Sequence, residues 1–206
     1  LSNYPETIYG DGENAYASWK TGDTFAAVLE PADGRLFDLS VPFWNGETDN
    51  HPSTYYVLVN IFSSLWKLLG ISANKWAGLI PNFACCLVTT FFLVQLLRRL
   101  LGNDLAALLG GVMWAFSIGT INMGIYLRMY ALLVMAAVIF AWLHLRLLSD
   151  YADGKAVGKT LVLVQLATIA GILSQYYFLF FAFFFCGLIC VYFFAKKDWT
   201  MLGCYM

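Results

Sequence analysis

The chain has 206 residues, of which 60% are hydrophobic and 12% are charged, and its formal net charge is −1. Because soluble domains are roughly 45–50% apolar and about 25% charged, this composition excludes an ordinary soluble domain and indicates a membrane protein. A nearly neutral charge gives no reason to expect nucleic acid as a partner. Nine of the thirteen acidic residues precede position 50, so an acidic first quarter comes before an apolar remainder.

The chain begins at Leu1 and shows no signal peptide, and we interpret it as a fragment of a longer protein that is missing at least its start. Its five cysteines include no CxxC pair, and four of them lie inside apolar runs: Cys85, Cys86, Cys186 and Cys190. A cysteine in such a run usually serves as a small hydrophobic residue, so we expect these four to be structural.

Five apolar stretches are long enough, or nearly long enough, to cross a membrane as helices. They are residues 76–97, 105–122, 129–148, 160–174 and 176–195. The last two form one uncharged run of 36 residues, which is too long for a single crossing of ~30 Å at about 1.5 Å per residue. The polar pair Ser174-Gln175 therefore predicts a tight turn between two short spans.

An earlier stretch, residues 54–69, differs from these because its polar residues fall on one stripe of a helix. The stripe consists of Asn60, Ser63, Ser64 and Lys67. An amphipathic helix of this kind tends to lie in the membrane interface rather than cross the bilayer, and we predict that position for it.

The positive-inside rule supports this arrangement. With the amphipathic helix flat and the acidic segment outside, most basic residues of the apolar part collect on the cytoplasmic side. They are Arg98, Arg99, Arg146, Lys155, Lys159, Lys196 and Lys197. The short outer loops then contain a single basic residue, Arg128. We predict an all-α, polytopic membrane bundle, with an extracytoplasmic loop and juxtamembrane helix over residues 1–75 and transmembrane spans over residues 76–206.

Residues 49–56, with the sequence DNHPSTYY, carry more polar chemistry than anchoring requires. Asp49 precedes His51 by two positions, and such a pair at the membrane surface could hold a proton or bind a polar ligand. The structural alternative is that a hydroxyl residue caps the following helix while Tyr55 and Tyr56 belong to an aromatic belt.

Residues 126–130, with the sequence YLRMY, form the second candidate. The guanidinium of Arg128 offers a planar bidentate fork to phosphate oxygens, so this segment could clamp a phosphate. The alternative is an arginine that snorkels to lipid headgroups.

Two further pairs are weaker candidates. Asp11 and Glu13 form either a carboxylate pair or part of a solvated turn. Gln175 and Tyr176 lie on the same predicted outer side as Arg128 and could line one cavity with it. No metal or cofactor is predicted, because no ligand spacing supports the divalent cation that an acidic outer loop could bind.

Taken in order, four segments resemble motifs of the polytopic GT-C class glycosyltransferases, specifically bacterial relatives of the protein O-mannosyltransferases and of the lipid A aminoarabinose transferase (glycosyltransferase family 39-like). DNHPSTYY at 49–56 is similar to that family's DVHPPLYY, and ANKWAGLIPN at 73–82 is similar to SKWxGLxxN. RMY at 128–130 matches the family's RMY, and SQYYF at 174–178 is similar to THYYF.

Some positions depart from these motifs. Ser53 replaces a proline, Asn60 replaces a histidine, and Gln175 replaces the histidine of THYY. In the family, an Asp-Glu pair that supplies the catalytic acid follows the first span, at a point that corresponds to a position before residue 1. Asp11 and Glu13 are the available substitutes in this chain.

The resemblance implies transfer of a sugar from a polyprenyl-phosphate donor to a glycan, lipid or protein acceptor at the outer face of a bacterial plasma membrane. An outer carboxylate would deprotonate the acceptor hydroxyl, and Arg128 would stabilise charge on the departing lipid phosphate. The implied catalytic residues are Asp49, His51 and Arg128. The implied substrate-binding residues are Tyr55, Tyr56, Tyr130, Gln175, Tyr176, Asp11 and Glu13.

A transporter, or a membrane subunit that binds lipid-linked sugars without turnover, is the alternative function. A transporter should place ionisable groups or broken helices near the middle of the bilayer, often within internal repeats. The predicted spans contain no central acid or base, and their polar residues gather toward the outer surface, which favours the transferase.

Overall fold

The computed structural model describes residues 31, 34–40, 42–44, 52–71 and 75–206. Within these residues the fold is all-α and contains no strand, which confirms the predicted class. The helices in chain order are α1 (Thr54–Leu68), α2 (Trp76–Leu101), α3 (Asp104–Ala115), α4 (Ile118–Ile125), α5 (Tyr130–Ala152), α6 (Gly158–Ser174), α7 (Phe178–Ala195) and α8 (Trp199–Tyr205).

Three of these helices, α2, α5 and α7, are long and apolar enough to cross a membrane. A fourth span is present if α3 and α4 are counted as one element. Helix α6 is also apolar but has 17 residues, which corresponds to about 25 Å and is shorter than a typical hydrocarbon core. The lengths and composition of these helices indicate an integral membrane protein.

The stretch predicted as a span over residues 105–122 is interrupted in the structure. Helices α3 and α4 meet at an angle of 50°. The break has a local cause, because the Ser117 hydroxyl accepts a hydrogen bond from the Thr120 backbone N–H at 3.1 Å and so caps the start of α4. The stretch is therefore two helices joined at a bend, and that the pair crosses the membrane as one span stays a prediction.

Helices α2 and α5 form the centre of the bundle, and they pack against each other along much of their length. Helix α3 lies close to α2 because two glycines allow a near approach: a β-carbon on Gly110 would lie 2.6 Å from Leu97, and one on Gly111 would lie 2.3 Å from Val94. Helix α6 packs on α5, and α7 packs on α6 and α8. Helix α2 continues through Pro81, which is buried.

The bundle has two chemically different ends. The loop end holds the connection between α4 and α5 (residues 126–129) and the turn between α6 and α7 (residues 175–177). We call the opposite end the basic end, and its basic residues are Arg98, Arg99, Arg146, Lys155, Lys159, Lys196 and Lys197. These are the residues that the charge pattern assigns to one side of the membrane.

Helix α1 turns its polar stripe toward the protein. Asn60, Ser63 and Ser64 are at most 2% exposed, whereas Leu68 is 65% exposed. The Ser64 hydroxyl accepts a hydrogen bond from the backbone of the preceding segment at 2.9 Å, and the Lys67 ammonium donates to the Pro31 carbonyl at 2.8 Å. An interfacial helix turns its polar side to water. The stripe serves protein packing instead, and an interfacial location for α1 stays a prediction.

The turn between α6 and α7 lies deeper in the bundle than the loop between α4 and α5. Phe178, the first residue of α7, packs against Phe140 with ring centroids 5.4 Å apart. Phe140 follows the start of α5 at Tyr130 by ten residues, or about 15 Å along the helix. The turn is tight because Gly171 gives space to the Phe178 ring, which a β-carbon on Gly171 would approach to 2.3 Å.

Candidate functional site

The loop between α4 and α5 presents Arg128 between two tyrosines. Arg128 is exposed, and its guanidinium carbon lies 5.8 Å from the centroid of the Tyr126 ring. The rings of Tyr126 and Tyr130 are stacked, with centroids 6.4 Å apart and an interplanar angle of 12°. The short sequence YLRMY thus forms an aromatic ledge that carries one cation, because the chain leaves α4 and enters α5 within four residues.

Asn82 of α2 holds this loop in place. Its side-chain amide donates hydrogen bonds to the carbonyls of Met123 at 3.3 Å and Tyr126 at 2.9 Å. Asn82 is fully buried, and its bonds join α2 to the end of α4, where the Tyr126 carbonyl also accepts a hydrogen bond from the Arg128 backbone N–H at 2.7 Å. The amide therefore determines where Arg128, two residues after Tyr126, leaves the bundle.

Gly78, one helical turn before Asn82, gives the same loop room to approach α2. A β-carbon at Gly78 would lie 2.7 Å from the Leu127 side chain. Through Asn82 and Gly78, the segment WAGLIPN therefore contacts Tyr126 and Leu127, the two residues directly before RMY. Neither Asn82 nor Gly78 was predicted to belong to the site, and their position four residues apart on one helix face is the signal that could have identified them.

Tyr55 lies in the protein interior and not on an open surface. It is 2% exposed and belongs to a buried cluster with Val59, Cys85 and Met129. Its phenol contacts the Asn82 side chain, and burial raises the pKa of Tyr55 well above its ordinary value. The hydroxyl therefore stays protonated. The structure places Tyr55 behind the loop, where it supports Asn82 and Met129.

Tyr56 is half-buried and packs edge-on against Tyr55, with ring centroids 5.8 Å apart. It belongs to the margin of the same buried cluster. The two tyrosines predicted to bind substrate are thus a core residue and a neighbour at the edge of the core.

An open cavity of about 380 Å³ lies beside the aromatic ledge. The described residues that line it are Asn122, Met123, Ile125, Tyr126 and Tyr130. Tyr130 was a predicted site residue, and it is 42% exposed here. Asn122 was not predicted, and Tyr126 was predicted only as part of the segment 126–130 and not as a binding residue. Tyr126 and Tyr130 lie four positions apart on either side of Arg128, and that symmetry in YLRMY is a sequence signal for Tyr126.

The structure separates Gln175 and Tyr176 from this cavity. Gln175 is 4% exposed, and its side-chain carbonyl accepts a hydrogen bond from the Tyr176 backbone at 3.1 Å. Tyr176 is 57% exposed. Both residues lie at the loop end, but on the deeper turn, and neither is among the described residues that line the cavity.

Four of the predicted site residues, Asp11, Glu13, Asp49 and His51, lie outside the residues that the structure describes. Within the described ranges, no three His, Cys, Asp or Glu side chains come together in a way that could hold a metal ion.

His144 is the ionisable residue buried deepest in α5, and both of its ring nitrogens have partners. Nδ1 lies 2.8 Å from the Phe140 carbonyl and Nε2 lies 2.7 Å from the Tyr205 hydroxyl. A carbonyl can only accept, so Nδ1 carries a proton and Nε2 accepts from Tyr205 in the neutral ring. This arrangement joins α5 to α8 and indicates a structural histidine.

Comparison with known proteins gives no match: no protein-family model, curated protein or solved structure is similar to the chain. The fold defines the protein as an all-α integral membrane protein. The likeness to GT-C glycosyltransferases rests on the motif residues alone.

Proposed function

We propose that this protein is a membrane glycosyltransferase that moves a sugar from a polyprenyl-phosphate donor to an acceptor on the extracytoplasmic face of a bacterial plasma membrane. The observation that supports this most is the setting of Arg128. Arg128 is exposed, its guanidinium contacts the ring of Tyr126, which lines an open cavity, and among the described residues it forms no ion pair. An arginine kept available in this way suits a phosphate ligand.

The orientation in the membrane follows from charge. Seven basic residues lie at the end of the bundle opposite Arg128. The positive-inside rule assigns that end to the cytoplasm and the loop end to the outside. A donor carried on a lipid reaches the loop end from within the membrane, so the protein needs no nucleotide-binding domain for this reaction.

The proposed reaction is a substitution at the anomeric carbon of the donor sugar. The acceptor hydroxyl oxygen attacks that carbon, and the bond from the carbon to the phosphate oxygen breaks. The leaving group is the polyprenyl phosphate, whose additional negative charge Arg128 stabilises. The hydroxyl proton passes to a base of the outer segment, for which Asp49, His51 and the pair Asp11 and Glu13 are the proposed positions.

The two tyrosines beside Arg128 supply the sugar subsite in this proposal. Their rings present flat apolar faces at the margin of the cavity, and such faces suit the C–H surfaces of a pyranose ring. Asn82 and Gly78 are positioning residues: they act on the substrate only through the loop that carries Arg128. In the same proposal Gln175, Tyr176 and Tyr56 bind parts of the donor or acceptor away from the phosphate.

The test is sugar transfer by the full protein in nanodiscs from a panel of radiolabelled polyprenyl-phosphate sugars. We expect label to move to an acceptor, and the Arg128→Ala variant to be about 10²–10³ times slower, the usual cost of removing a preorganised donor to developing charge. Arg98→Ala is the matched control, because Arg98 lies at the basic end and pairs with Asp104 at 3.1 Å. It should transfer sugar at the unmodified rate.

An unmodified rate for Arg128→Ala would remove Arg128 from the mechanism. Failure of the unmodified protein to bind or transfer any donor of a broad panel would contradict the proposed function as a whole.

The second candidate function is a transporter or a subunit that binds lipid-linked sugars without turnover. One observation favours it, the 50° break between α3 and α4, since transporters build their sites from discontinuous helices. Donor binding without transfer would support the binding subunit. Movement of an unreacted sugar or lipid across a sealed vesicle membrane would support the transporter.

A further inference from the structure

At the basic end, two arginines from different helices lie against one tryptophan. The guanidinium carbon of Arg99, at the end of α2, is 5.7 Å from the centroid of the Trp142 ring. The guanidinium carbon of Arg146, on α5, is also 5.7 Å from that centroid. Cation–π contacts of this kind stabilise both side chains and fix where their N–H groups lie.

The charge around Trp142 is not balanced. Arg146 pairs with Asp150 at 3.6 Å, and the neighbouring Arg98 pairs with Asp104 at 3.1 Å. Arg99, by contrast, forms no ion pair with any acid in the part of the chain that the structure describes. Its charge also opposes that of Lys155, whose ammonium is already bound to Asp153 at 2.7 Å. Trp142 therefore contacts two guanidiniums, of which only that of Arg146 pairs with an acid among the described residues.

The surroundings of the two guanidiniums are those of a lipid headgroup region. Arg99 is exposed and the Arg146 side chain is 41% exposed, and each lies near the end of a helix long enough to cross a membrane. Below them, Phe92 packs edge-on against Trp142 at 5.1 Å, and the adjacent Phe91 is 59% exposed. A charged upper part and an exposed apolar lower part match the two halves of a phospholipid.

We infer that Arg99 and Arg146 bind the phosphate of an anionic phospholipid in the leaflet at the basic end. The phosphate oxygens accept hydrogen bonds from both guanidiniums and neutralise the charge of Arg99, which has no acid as a partner among the described residues. The acyl chains lie along the exposed face that includes Phe91. Basic sites between membrane helices recognise anionic lipids in this way. The site is separate from the loop end and does not depend on the proposed transferase activity.

The test compares two neighbouring arginines that differ in their partners. The purified full protein in detergent is titrated with phosphatidylglycerol or with phosphatidylcholine of the same acyl chains, and bound lipid is counted by native mass spectrometry. We expect phosphatidylglycerol to bind more tightly than phosphatidylcholine. Arg99→Gln should weaken phosphatidylglycerol binding about fivefold, as expected for one basic residue at an anionic membrane surface, and leave phosphatidylcholine unaffected.

Arg98→Gln is the matched control, because it removes one positive charge from the adjacent position, and the Trp142 ring keeps its contacts with Arg99 and Arg146. It should bind phosphatidylglycerol as the unmodified protein does. The circular dichroism spectrum of both variants checks that the helices are retained, which is expected because both side chains are exposed.

Equal loss in the two variants would overturn the inference, because it would indicate a general charge effect and no specific site. Displacement of bound phosphatidylglycerol by millimolar glycerol phosphate would overturn it as well, because the site would then recognise a free phosphate. Retention of the lipid under that competition, together with loss in Arg99→Gln alone, would support it.

Discussion

The two ends of the helical bundle hold their arginines in different ways. At the basic end, Arg98 and Arg146 each pair with an aspartate, at 3.1 Å and 3.6 Å. At the loop end, Arg128 rests against the Tyr126 ring and meets no acid in the described ranges. Two of the three arginines of the basic end are therefore ion-paired, and Arg99 has only its contact with the Trp142 ring, whereas the one arginine of the loop end has no ion pair among the described residues.

Polar groups other than arginine follow the same division. At the basic end, side chains satisfy one another, as Tyr151 does by donating to Asp198 at 2.7 Å. At the loop end, the side-chain amide of Asn82 donates hydrogen bonds to backbone carbonyls and so positions the loop between α4 and α5. A closed network of side chains contributes stability, whereas a positioned loop with an unpaired cation contributes a surface for a ligand. In the proposed function, the basic end therefore contributes stability to the fold and the loop end carries the chemistry.

The largest effect that we expect comes from Asn82→Ala. The substitution removes the two hydrogen bonds that the buried Asn82 amide donates to the Met123 and Tyr126 carbonyls and leaves a space where the amide was, at a cost of about 2–3 kcal/mol. It should also release the Arg128 loop and reduce donor binding. Unfolding in sodium dodecyl sulfate, followed by circular dichroism, measures the first effect. Asn122→Ala, an exposed asparagine on α4, is the control and should leave stability nearly unchanged.

If Asn82→Ala were as stable as the unmodified protein, the contrast drawn between the two ends would be wrong. It would mean that the loop is held by contacts other than the Asn82 amide.

The next effect concerns the depth of the α6–α7 turn. Gly171→Ala places a β-carbon 2.3 Å from the ring of Phe178, a residue only 1% exposed and packed on Phe140, so the ring cannot move aside freely. We expect a loss of about 1–3 kcal/mol. Gly187→Ala on α7 is the matched control, because a β-carbon there meets nothing within 4 Å. It should be neutral or should stabilise the helix by up to about 1 kcal/mol.

If both glycine variants lost stability equally, Phe178 would not be confined as described, and the turn would not have a defined depth. The same denaturant titration distinguishes the two results.

Much of this fold could be predicted from the sequence, because the thickness of a membrane sets the length of each apolar run. The long helices over 76–101 and 130–152 are of this kind. The break at Ser117 was missed because Ser117 and Thr120 are uncharged and lie in a run that is apolar on average, and a hydropathy pattern does not register a hydroxyl that caps a helix. The direction in which the α1 stripe faces could not be predicted for another reason: periodicity identifies a polar face but does not say whether water or protein covers it.

The candidate site could be predicted only in part. Arg128 and Tyr130 were identified because an isolated cation between aromatic residues is visible in the sequence alone. The role of Asn82 was not, because its partners Met123 and Tyr126 are 41 and 44 positions away along the chain. Contacts across such distances depend on how α2 and α4 pack, which local spacing does not determine.

A smaller effect should appear at the basic end in Tyr205→Phe. The change removes the hydroxyl that donates to His144 Nε2 at 2.7 Å and leaves a buried nitrogen unpaired, with an expected cost of about 1 kcal/mol. Tyr192→Phe is the control, since the Tyr192 hydroxyl forms no hydrogen bond within the described residues. A cost in Tyr205→Phe no larger than in Tyr192→Phe would show that the joint between α5 and α8 does not stabilise the fold.

The smallest change in stability that we expect, in Arg128→Ala, is also the most direct test of the difference between the arginines of the two ends. Arg128→Ala removes an exposed side chain with one ring contact, so it should lower the free energy of unfolding by about 0.5 kcal/mol or less. Arg146→Ala removes a ring contact and an ion pair, and should cost about 1 kcal/mol. The two variants are compared in one denaturant titration. If Arg128→Ala proved the more destabilising, Arg128 would be a structural residue with its charge already satisfied. Its loss of sugar transfer could then no longer be attributed to the donor phosphate.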